Sequence, residues 1–242
     1  MRKFINAIMK WLGSAKILSV PRGYVGKVLV YYYLAKNGVL FFYDDPASTQ
    51  VFNLIKQIKK ETEMILKDHE AYQIYRTVRE TEKIKGDIAE VGVYKGGSAK
   101  LICEATKKPV HLFDTFEGLP DLCEIDNPEQ FRKGDYSAQF ENVKSYLKKY
   151  PDVYFYKGLF PSTSELVKNK KFSFVHLDVD LYESTLNCLK FFYPKINRGG
   201  VIISHDYLKS EGVKRAFDKF FKDKPEIIIE LPACDQCLVV KL

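Results

Sequence analysis

The feature that most constrains the fold is a glycine-rich turn between an apolar run and a helical pattern. It reads IAEVGVYKGGSAK over residues 88–100, and the next apolar run ends in a carboxylate, Asp114. A strand, a glycine turn, a helix and a strand that ends in an acid form the first βαβ unit of a doubly wound sheet. The pattern therefore predicts a crevice for an adenosine-containing ligand at the carboxyl end of the first strand.

The residues of the turn indicate which cofactor binds there. A dinucleotide fingerprint reads G-x-G-x-x-G, and its backbone N–H groups hold a pyrophosphate. Here the pattern is Glu90-x-Gly92-x-x-x-Gly96-Gly97. A carboxylate before the first glycine would repel a pyrophosphate, whereas it would attract the ammonium and sulfonium groups of S-adenosylmethionine. We therefore predict S-adenosylmethionine, anchored by Glu90, approached closely through the three glycines, and bound at its ribose hydroxyls by Asp114.

From Asp87 onward, short apolar runs alternate with helical patterns, which predicts an α/β fold with a mostly parallel sheet. The predicted strands are 87–92, 109–114, 153–157, 172–178, 200–204, 226–230 and 236–241. The predicted helices are 97–107, 139–149, 162–169, 183–192 and 211–221. Only LPACD joins the last two strands, so they must pair as an antiparallel hairpin. This is the doubly wound, seven-stranded sheet of the class I methyltransferase type.

The chain is predicted to have two parts. Residues 1–85 form a mostly helical N-terminal cap or lid, and residues 86–242 form the cofactor-binding domain. The first 16 residues have an apolar helical stripe flanked by lysines. This stripe fits peripheral contact with an anionic membrane surface, or packing as a lid on its own domain or on a second subunit of a homo-oligomer. The run from Tyr24 to Tyr43 contains charged residues and is not predicted to span a membrane.

Composition and charge exclude several classes of protein. With 46% apolar and 29% charged residues, the chain is globular. Its five cysteines are odd in number and scattered, which predicts a reducing, cytoplasmic location rather than a disulfide framework. The net charge of +7 comes mostly from lysines spread along helices, without interleaved arginines and aromatics, so no nucleic-acid partner is expected.

Acidic side chains follow two strands of the predicted sheet. Asp178 and Asp180 end the fourth strand, two positions apart and therefore on one side, and His205-Asp206 end the fifth. The first, fourth and fifth strands are neighbours in a doubly wound sheet, so these side chains should converge beside the cofactor crevice, with Asp178 also contacting the cofactor. Clustered carboxylates repel one another, and a divalent metal held by Asp178 and Asp206 is the simplest compensation.

Other interpretations of these residues stay open at this point. Asp180 and Asp206 could instead cap helices that start near Tyr182 and Leu208. The Asp-x-Asp pair also occurs in the metal-nucleotide site of many glycosyltransferases, although that class needs no Glu-x-Gly turn. His176, inside the fourth strand, is predicted to be a packed core histidine, and His111 is given no role.

Four motifs in order resemble the macrocin O-methyltransferase family. They are EVGVYKGGSA, DTFEGLP, LDVDLYEST and the GG-apolar-HDY ending, and the likeness covers roughly residues 70–242. The family methylates sugar hydroxyls of natural products with S-adenosylmethionine. The resemblance implies a magnesium ion bound by Asp178 and by the acids that end the fifth strand, here Asp206. It implies Asp180 as the general base.

One residue departs from the family pattern. The family often has Asp-Asp where this chain has His205-Asp206. An imidazole suits magnesium poorly and manganese, iron or zinc better. Either the metal differs, with His205 as a third ligand, or His205 is not a ligand, or the site has been retuned. His205 could also be the catalytic base, because its ordinary pKa lies near neutrality.

The sequence thus predicts metal-dependent methyl transfer from S-adenosylmethionine to a hydroxyl of a sugar or glycoconjugate. Magnesium is the expected cation, with manganese or another divalent ion as alternatives. The alternative acceptor is a catechol-like phenol. Two further alternatives are a non-catalytic scaffold that binds S-adenosylmethionine and a metal-dependent glycosyltransferase.

Overall fold

The computed structural model describes residues 46–231 and 234–242. A compact unit that carries the whole sheet spans Leu54–Leu242. The apolar stripe of the first 16 residues and the run from Tyr24 to Tyr43 lie outside the described residues. The predicted division into residues 1–85 and 86–242 stays a prediction.

In residues 46–231 and 234–242, seven strands form one sheet. Their bounds are β1 (Asp87–Val91), β2 (Val110–Asp114), β3 (Val153–Lys157), β4 (Phe172–Leu177), β5 (Ile196–Ser204), β6 (Ile229–Glu230) and β7 (Cys237–Val240). The order is β3-β2-β1-β4-β5-β7-β6. Strands β1 to β5 run parallel, and β7 pairs antiparallel with both β5 and β6. This confirms the predicted doubly wound sheet with its antiparallel hairpin.

Helices precede the sheet and alternate with its strands. They are α1 (Pro46–Glu61), α2 (Asp68–Thr81), α3 (Gly97–Ala105), α4 (Phe140–Tyr146), α5 (Tyr182–Phe192) and α6 (Glu211–Phe221). Helix α6 has the predicted bounds. The helix predicted at 162–169 is a short 3-10 turn, Ser164–Val167. Of the helices in the described ranges, none is long and apolar enough to cross a bilayer.

Two strands differ in length from their predictions by more than two residues. The strand predicted at 226–230 pairs only over Ile229–Glu230, and the buried carboxylate of Glu226, before the strand begins, forms an ion pair with Lys241. Strand β5 begins at Ile196, earlier than residue 200, and pairs first with Phe172 before its register shifts. Both differences lie at strand starts, away from the strand ends that carry the acidic residues.

Apolar side chains cover both faces of the sheet, as expected for parallel strands. All six residues of β4 are buried. On one face, Phe113, Val175 and Ile202 pack in a cluster with Leu189 of α5 and Phe217 of α6. On the other face lie α2 and α3, which contact each other, and α2 also contacts β4 and β5. The carboxyl ends of β1, β4 and β5 are therefore held rigidly side by side.

Candidate active site

A cleft opens at the carboxyl ends of the parallel strands and spans about 1070 Å³, including the open solvent at its mouth. Its walls come from the glycine turn after β1, from the ends of β2 and β4, and from the His205-Asp206 pair. Three large exposed side chains, Ile65, Tyr136 and Leu159, also line it, and we call them the rim of the cleft. The predicted crevice is therefore present in the structure.

The glycines of the turn allow close packing. Gly92 has φ +88°, and a β-carbon there would lie 1.8 Å from the carbonyl oxygen of Asp178. A β-carbon at Gly97 would lie 2.7 Å from the Met64 β-carbon, and Gly96 caps α3 in a left-handed conformation with φ +79°. The cofactor turn and the strand that carries Asp178 are thus in direct backbone contact.

Asp114 fixes the shape of the glycine turn. Its carboxylate accepts hydrogen bonds from the backbone N–H groups of Val93 (2.6 Å), Tyr94 (2.8 Å) and Phe116 (2.6 Å). Burial raises the pKa of Asp114, although these bonds favour its charged form. A carboxylate has about four acceptor positions, so three bonds leave room for one ligand hydroxyl. Asp114 also lines the cleft, where the sequence predicts the ribose.

Glu90 lies behind the cleft wall. The residue is fully buried, and its Oε1 is 2.8 Å from Nδ1 of His176, which is equally buried. Among the described residues, Glu90 Oε2 has no hydrogen-bond partner. Burial raises the pKa of Glu90. The structure therefore does not bring this predicted cofactor anchor to the cleft surface, and it places Glu90 against the predicted core histidine.

The three predicted metal ligands converge. His205 Nδ1 lies 3.3 Å from Asp178 Oδ1 and 3.1 Å from Asp206 Oδ2. One ligand atom from each of these residues can be chosen so that all lie within 4.8 Å of one another. Asp180 lines the same cleft and is 9% exposed. The sheet order thus assembles the whole predicted cluster.

Each charge in this cluster shifts the pKa of its neighbours. Burial, together with the carboxylates of Asp206 and Asp178, raises the pKa of Asp180 well above its usual range. Burial alone would favour a neutral His205, but the surrounding carboxylates, chiefly Asp178, raise its pKa. Burial opposes ionisation of Asp206, yet the contacts with His205 and Asp180 lower its pKa. Asp180 is therefore the carboxyl group that most readily takes up a proton.

The residues present fit a divalent cation. Two carboxylates and one imidazole form a usual donor set for a transition metal. Asp206 Oδ1 is buried and has no hydrogen-bond partner within the described residues, and Lys209 Nζ lies 3.6 Å from it. An oxygen of this kind is costly to bury without a partner, and coordination would satisfy it.

The backbone at two of these acids is left-handed. Asp180 has φ +58° and Asp206 has φ +59°. Such conformations are uncommon for residues other than glycine, and they cluster at active sites and ligand clamps. The strain favours a functional role for both aspartates.

Helix capping does not explain these aspartates. Helix α5 begins at Tyr182, whose N–H donates to Asp126 Oδ1 at 2.8 Å. Helix α6 begins at Glu211, and its cap is Ser210, which accepts from the Val213 N–H. The alternative in which Asp180 and Asp206 cap these helices is therefore wrong.

Two residues of the site region were not found from the sequence. Glu70 Oε2 lies 3.5 Å from His205 Nε2, and the Glu70 side chain is 1% exposed. Asp126 is buried and holds the start of α5, immediately after Asp180. The only sequence signal for Glu70 was its position in the first turn of α2. An acidic residue there is ordinary at the start of a helix and does not indicate a site.

Comparison with known proteins identifies the family. Residues 67–240 match the profile of the macrocin O-methyltransferase (TylF) family. The chain belongs to this family, which confirms the resemblance carried by the four motifs.

Individual relatives share only part of their length with this chain. Demethyldecarbamoylnovobiocin O-methyltransferase of Streptomyces niveus is 29% identical over 170 residues, covering 63% of this chain and 64% of that protein. 8-Demethyl-8-(2,3-dimethoxy-α-L-rhamnosyl)-tetracenomycin-C 4'-O-methyltransferase of Streptomyces olivaceus is 30% identical over 140 residues, covering 51% and 54%. The solved structure of the O-methyltransferase NovP superposes with a TM-score of 0.61 at 26% identity, covering 71% of this chain and 78% of that chain. The chain thus spans less than two thirds of the length of either sequence relative.

Proposed function

We propose that this protein transfers the methyl group of S-adenosylmethionine to a hydroxyl of a sugar or glycoconjugate in a natural product. The observation that carries the proposal is the meeting of the glycine turn with Asp178, His205 and Asp206 in one cleft. The Streptomyces olivaceus relative supports a sugar acceptor, because its name specifies a rhamnosyl-bearing substrate.

The cofactor would lie along the glycine turn. S-adenosylmethionine supplies a methyl group bound to a sulfonium, which is ready for in-line transfer. Gly92 and Gly97 let the turn pack tightly against Asp178 and Met64 beside the cleft, and Asp114 has an acceptor position for a ribose hydroxyl. Asp178 is near enough to the turn to contact the cofactor as well. We assign Glu90 an indirect role, through its contact with His176, because it is buried behind the wall.

The acceptor hydroxyl would bind at the cluster. Asp178, His205 and Asp206 would hold a divalent cation, which lowers the pKa of a hydroxyl bound to it. With an imidazole among the donors, we expect manganese or iron to bind better than magnesium. The cluster would also orient the hydroxyl toward the methyl group, which is a large part of rate acceleration in group transfer.

We assign the role of general base, which removes the proton of the acceptor hydroxyl, to Asp180. Its raised pKa moves toward the range in which a general base works near neutral pH. Both ring nitrogens of His205 face carboxylates, Nδ1 toward Asp178 and Nε2 toward Glu70. His205 is therefore better placed to bind the cation than to take the acceptor's proton.

Chelation tests this proposal. Conversion of S-adenosylmethionine to S-adenosylhomocysteine is measured with a panel of rhamnosides and catechols, with and without excess EDTA. We expect EDTA and Asp178→Asn each to reduce turnover by at least about 10²-fold. The control is Asp121→Asn, which changes an exposed acid outside the cleft and leaves turnover unchanged. Calorimetry of S-adenosylhomocysteine binding is expected to be nearly insensitive to EDTA.

The outcomes separate the alternatives. Full turnover in excess EDTA contradicts the metal, and tight binding of NAD in place of S-adenosylhomocysteine contradicts the cofactor. Turnover with catechols but not with sugars favours the phenol acceptor. Cofactor binding without turnover of any acceptor favours the scaffold.

A cytoplasmic location is also proposed, and all five cysteines, which lie in the described ranges, are free thiols. The homo-oligomer, the peripheral membrane contact of the N-terminal helix and the lack of a nucleic-acid partner stay predictions.

A further inference from the structure

We propose that Glu70 is a positioning residue that orients His205 as a ligand of the divalent cation. The inference rests on the proposed function, because it concerns the metal that the cluster would hold. It adds to the site a residue from α2, outside the strand-end motifs.

The imidazole of His205 is placed between two sets of carboxylates. On one side, Nδ1 faces Asp178 Oδ1 at 3.3 Å and Asp206 Oδ2 at 3.1 Å. On the other side, Nε2 faces Glu70 Oε2 at 3.5 Å. The ring is 10% exposed, so water has little access to compete for either nitrogen.

Glu70 is itself held firmly. Its Oε2 accepts the backbone N–H of Lys67 at 2.7 Å, and its Oε1 accepts the backbone N–H of Asp235 at 3.2 Å. The Lys67 ammonium lies 3.1 Å from Oε1. A carboxylate that is 1% exposed is costly unless such partners satisfy it, and these partners stabilise it in its charged form. The carboxylate is thus a fixed acceptor aimed at the ring.

This arrangement has a consequence for the ring nitrogens. A histidine that binds a metal through one nitrogen almost always gives the N–H of the other to a carboxylate, a carbonyl or water, and this partner fixes the tautomer and ring orientation. An Nε2–H donated to Glu70 leaves the lone pair of Nδ1 directed at Asp178 and Asp206. The result is a donor set of one nitrogen and two carboxylates, which favours manganese or iron over magnesium.

Metal affinity measures the effect without any assay of turnover. Mn²⁺ is titrated calorimetrically into the full chain and into Glu70→Gln, with Mg²⁺ titrated in parallel. We expect Glu70→Gln to weaken Mn²⁺ binding about 10–100-fold, the usual cost of removing a partner of a metal-bound histidine. Mg²⁺ binding should change less. The affinity for S-adenosylhomocysteine measured in EDTA should be unchanged.

The matched control is Glu226→Gln. Glu226 is also a buried carboxylate, held by Lys241 and by the Tyr193 hydroxyl at 2.7 Å, but it does not line the cleft. This variant should leave Mn²⁺ affinity unchanged. An equal loss in both variants would mean that removing any buried carboxylate loosens the fold, and it would overturn the proposal.

A double-mutant cycle separates positioning from a structural role. In a His205→Asp background there is no imidazole to orient, so adding Glu70→Gln should no longer weaken Mn²⁺ binding. The same loss in both backgrounds would overturn the proposal. If Glu70→Gln does not fold, Glu70→Asp replaces it, because the shorter side chain withdraws its oxygen from Nε2 and should also weaken Mn²⁺.

The result also distinguishes this inference from the proposed function. Unmodified protein that binds neither Mn²⁺ nor Mg²⁺, yet turns over in EDTA, contradicts the metal in the proposed function and this inference with it. Unmodified protein whose tight Mn²⁺ binding survives Glu70→Gln contradicts this inference alone.

Discussion

A comparison of two glycines in the described part of the chain distinguishes two contributions to stability. One is the free-energy cost of a left-handed backbone for a residue other than glycine, and the other is the cost of a close contact. Gly92 has φ +88°, and its missing β-carbon position is occupied by the carbonyl of Asp178. Gly134 has nearly the same φ, +87°, but a β-carbon there would meet nothing within 4 Å. The pair forms an internal control for the packing between the cofactor turn and β4.

We therefore predict unequal costs for two alanine substitutions. Gly134→Ala should lower the free energy of unfolding by about 1–2 kcal/mol, the cost of a left-handed alanine. Gly92→Ala should lower it by about 2–5 kcal/mol, because overpacking adds roughly 1–3 kcal/mol. Urea denaturation measures both values. Equal costs would show that the contact with Asp178 relaxes freely.

Single residues also show what the sequence can and cannot indicate. Asp178, His205 and Asp206 were found because they end neighbouring parallel strands, and strand ends are visible in the apolar pattern. The burial of Glu90 behind the cleft wall was not found from the sequence, because the motif does not show on which face of β1 the side chain lies. Period-two alternation puts Glu90 on the face of Ile88, which α2 and α3 cover.

Glu70 could not have been assigned from sequence. It lies 135 residues before His205, and only the packing of α2 against β4 and β5 brings the two together. Its local pattern is fully explained by the start of a helix.

At the scale of elements, the start of α5 depends on a residue from a distant loop. Asp126 accepts from the Tyr182 N–H at 2.8 Å and from the Cys123 N–H at 3.0 Å. It thereby joins the loop after β2 to the turn that carries Asp180. The same loop packs through Leu119 and Phe131 against Leu181.

We predict that Asp126→Ala lowers the free energy of unfolding by about 1–3 kcal/mol, because it leaves two partly buried N–H groups without their acceptor. Asp121→Ala changes an acid of the same loop whose side chain is 82% exposed, and it should cost less than about 0.5 kcal/mol. Thermal and urea unfolding of both variants make the comparison. A loss below 0.5 kcal/mol for Asp126→Ala would mean that water replaces the carboxylate at the helix start.

Helices and strands were predicted best where the local sequence pattern agrees with the tertiary packing. Helix α6 has its predicted bounds because Ser210 caps it and its apolar stripe packs on the sheet. The segment 162–169 has a helical pattern but only a 3-10 turn, since it lies in the short connection between β3 and β4. Strand β6 is short because its pairing depends on β7 rather than on its own sequence.

At the scale of the whole molecule, the stability of the folded chain should depend on pH through His111. The ring is 1% exposed and lies 2.9 Å from Asp87 Oδ2 and 2.8 Å from the Tyr156 hydroxyl. Burial lowers the pKa of His111, and the charge of Lys170 adds to this, although Asp87 opposes both. The folded state therefore takes up this proton at lower pH than the unfolded state does.

The direction of the pH dependence follows from the difference in proton binding between the folded and unfolded states. The stability that His111 contributes is present above its unfolded pKa of about 6.5, and it is lost as the pH falls through the lower folded pKa. We predict that the free energy of unfolding of the unmodified protein falls more steeply below about pH 6.5 than that of His111→Gln. The difference in slope should be at most about 1.4 kcal/mol per pH unit. Urea titrations from pH 7.5 to 5 test this, and a difference independent of pH would contradict it.

The overall topology was the most predictable property of the chain. Alternating strands and helices require parallel pairing, and parallel pairing places β1, β4 and β5 side by side. What occupies the mouth of the cleft was not predictable, because Ile65, Tyr136 and Leu159 come from irregular segments whose path depends on tertiary contacts.

The rim of the cleft has a practical consequence for directed evolution. Ile65, Tyr136 and Leu159 are 57%, 38% and 49% exposed, so substitutions there remove less buried surface than substitutions of core residues. A mutant library confined to these three positions would explore new acceptors while most of its members still fold. A library that includes Gly92 would instead lose more of its members to misfolding, because each substitution there meets the carbonyl of Asp178. Exposure and contact with the cleft thus coincide at these three positions, where a designer can use both.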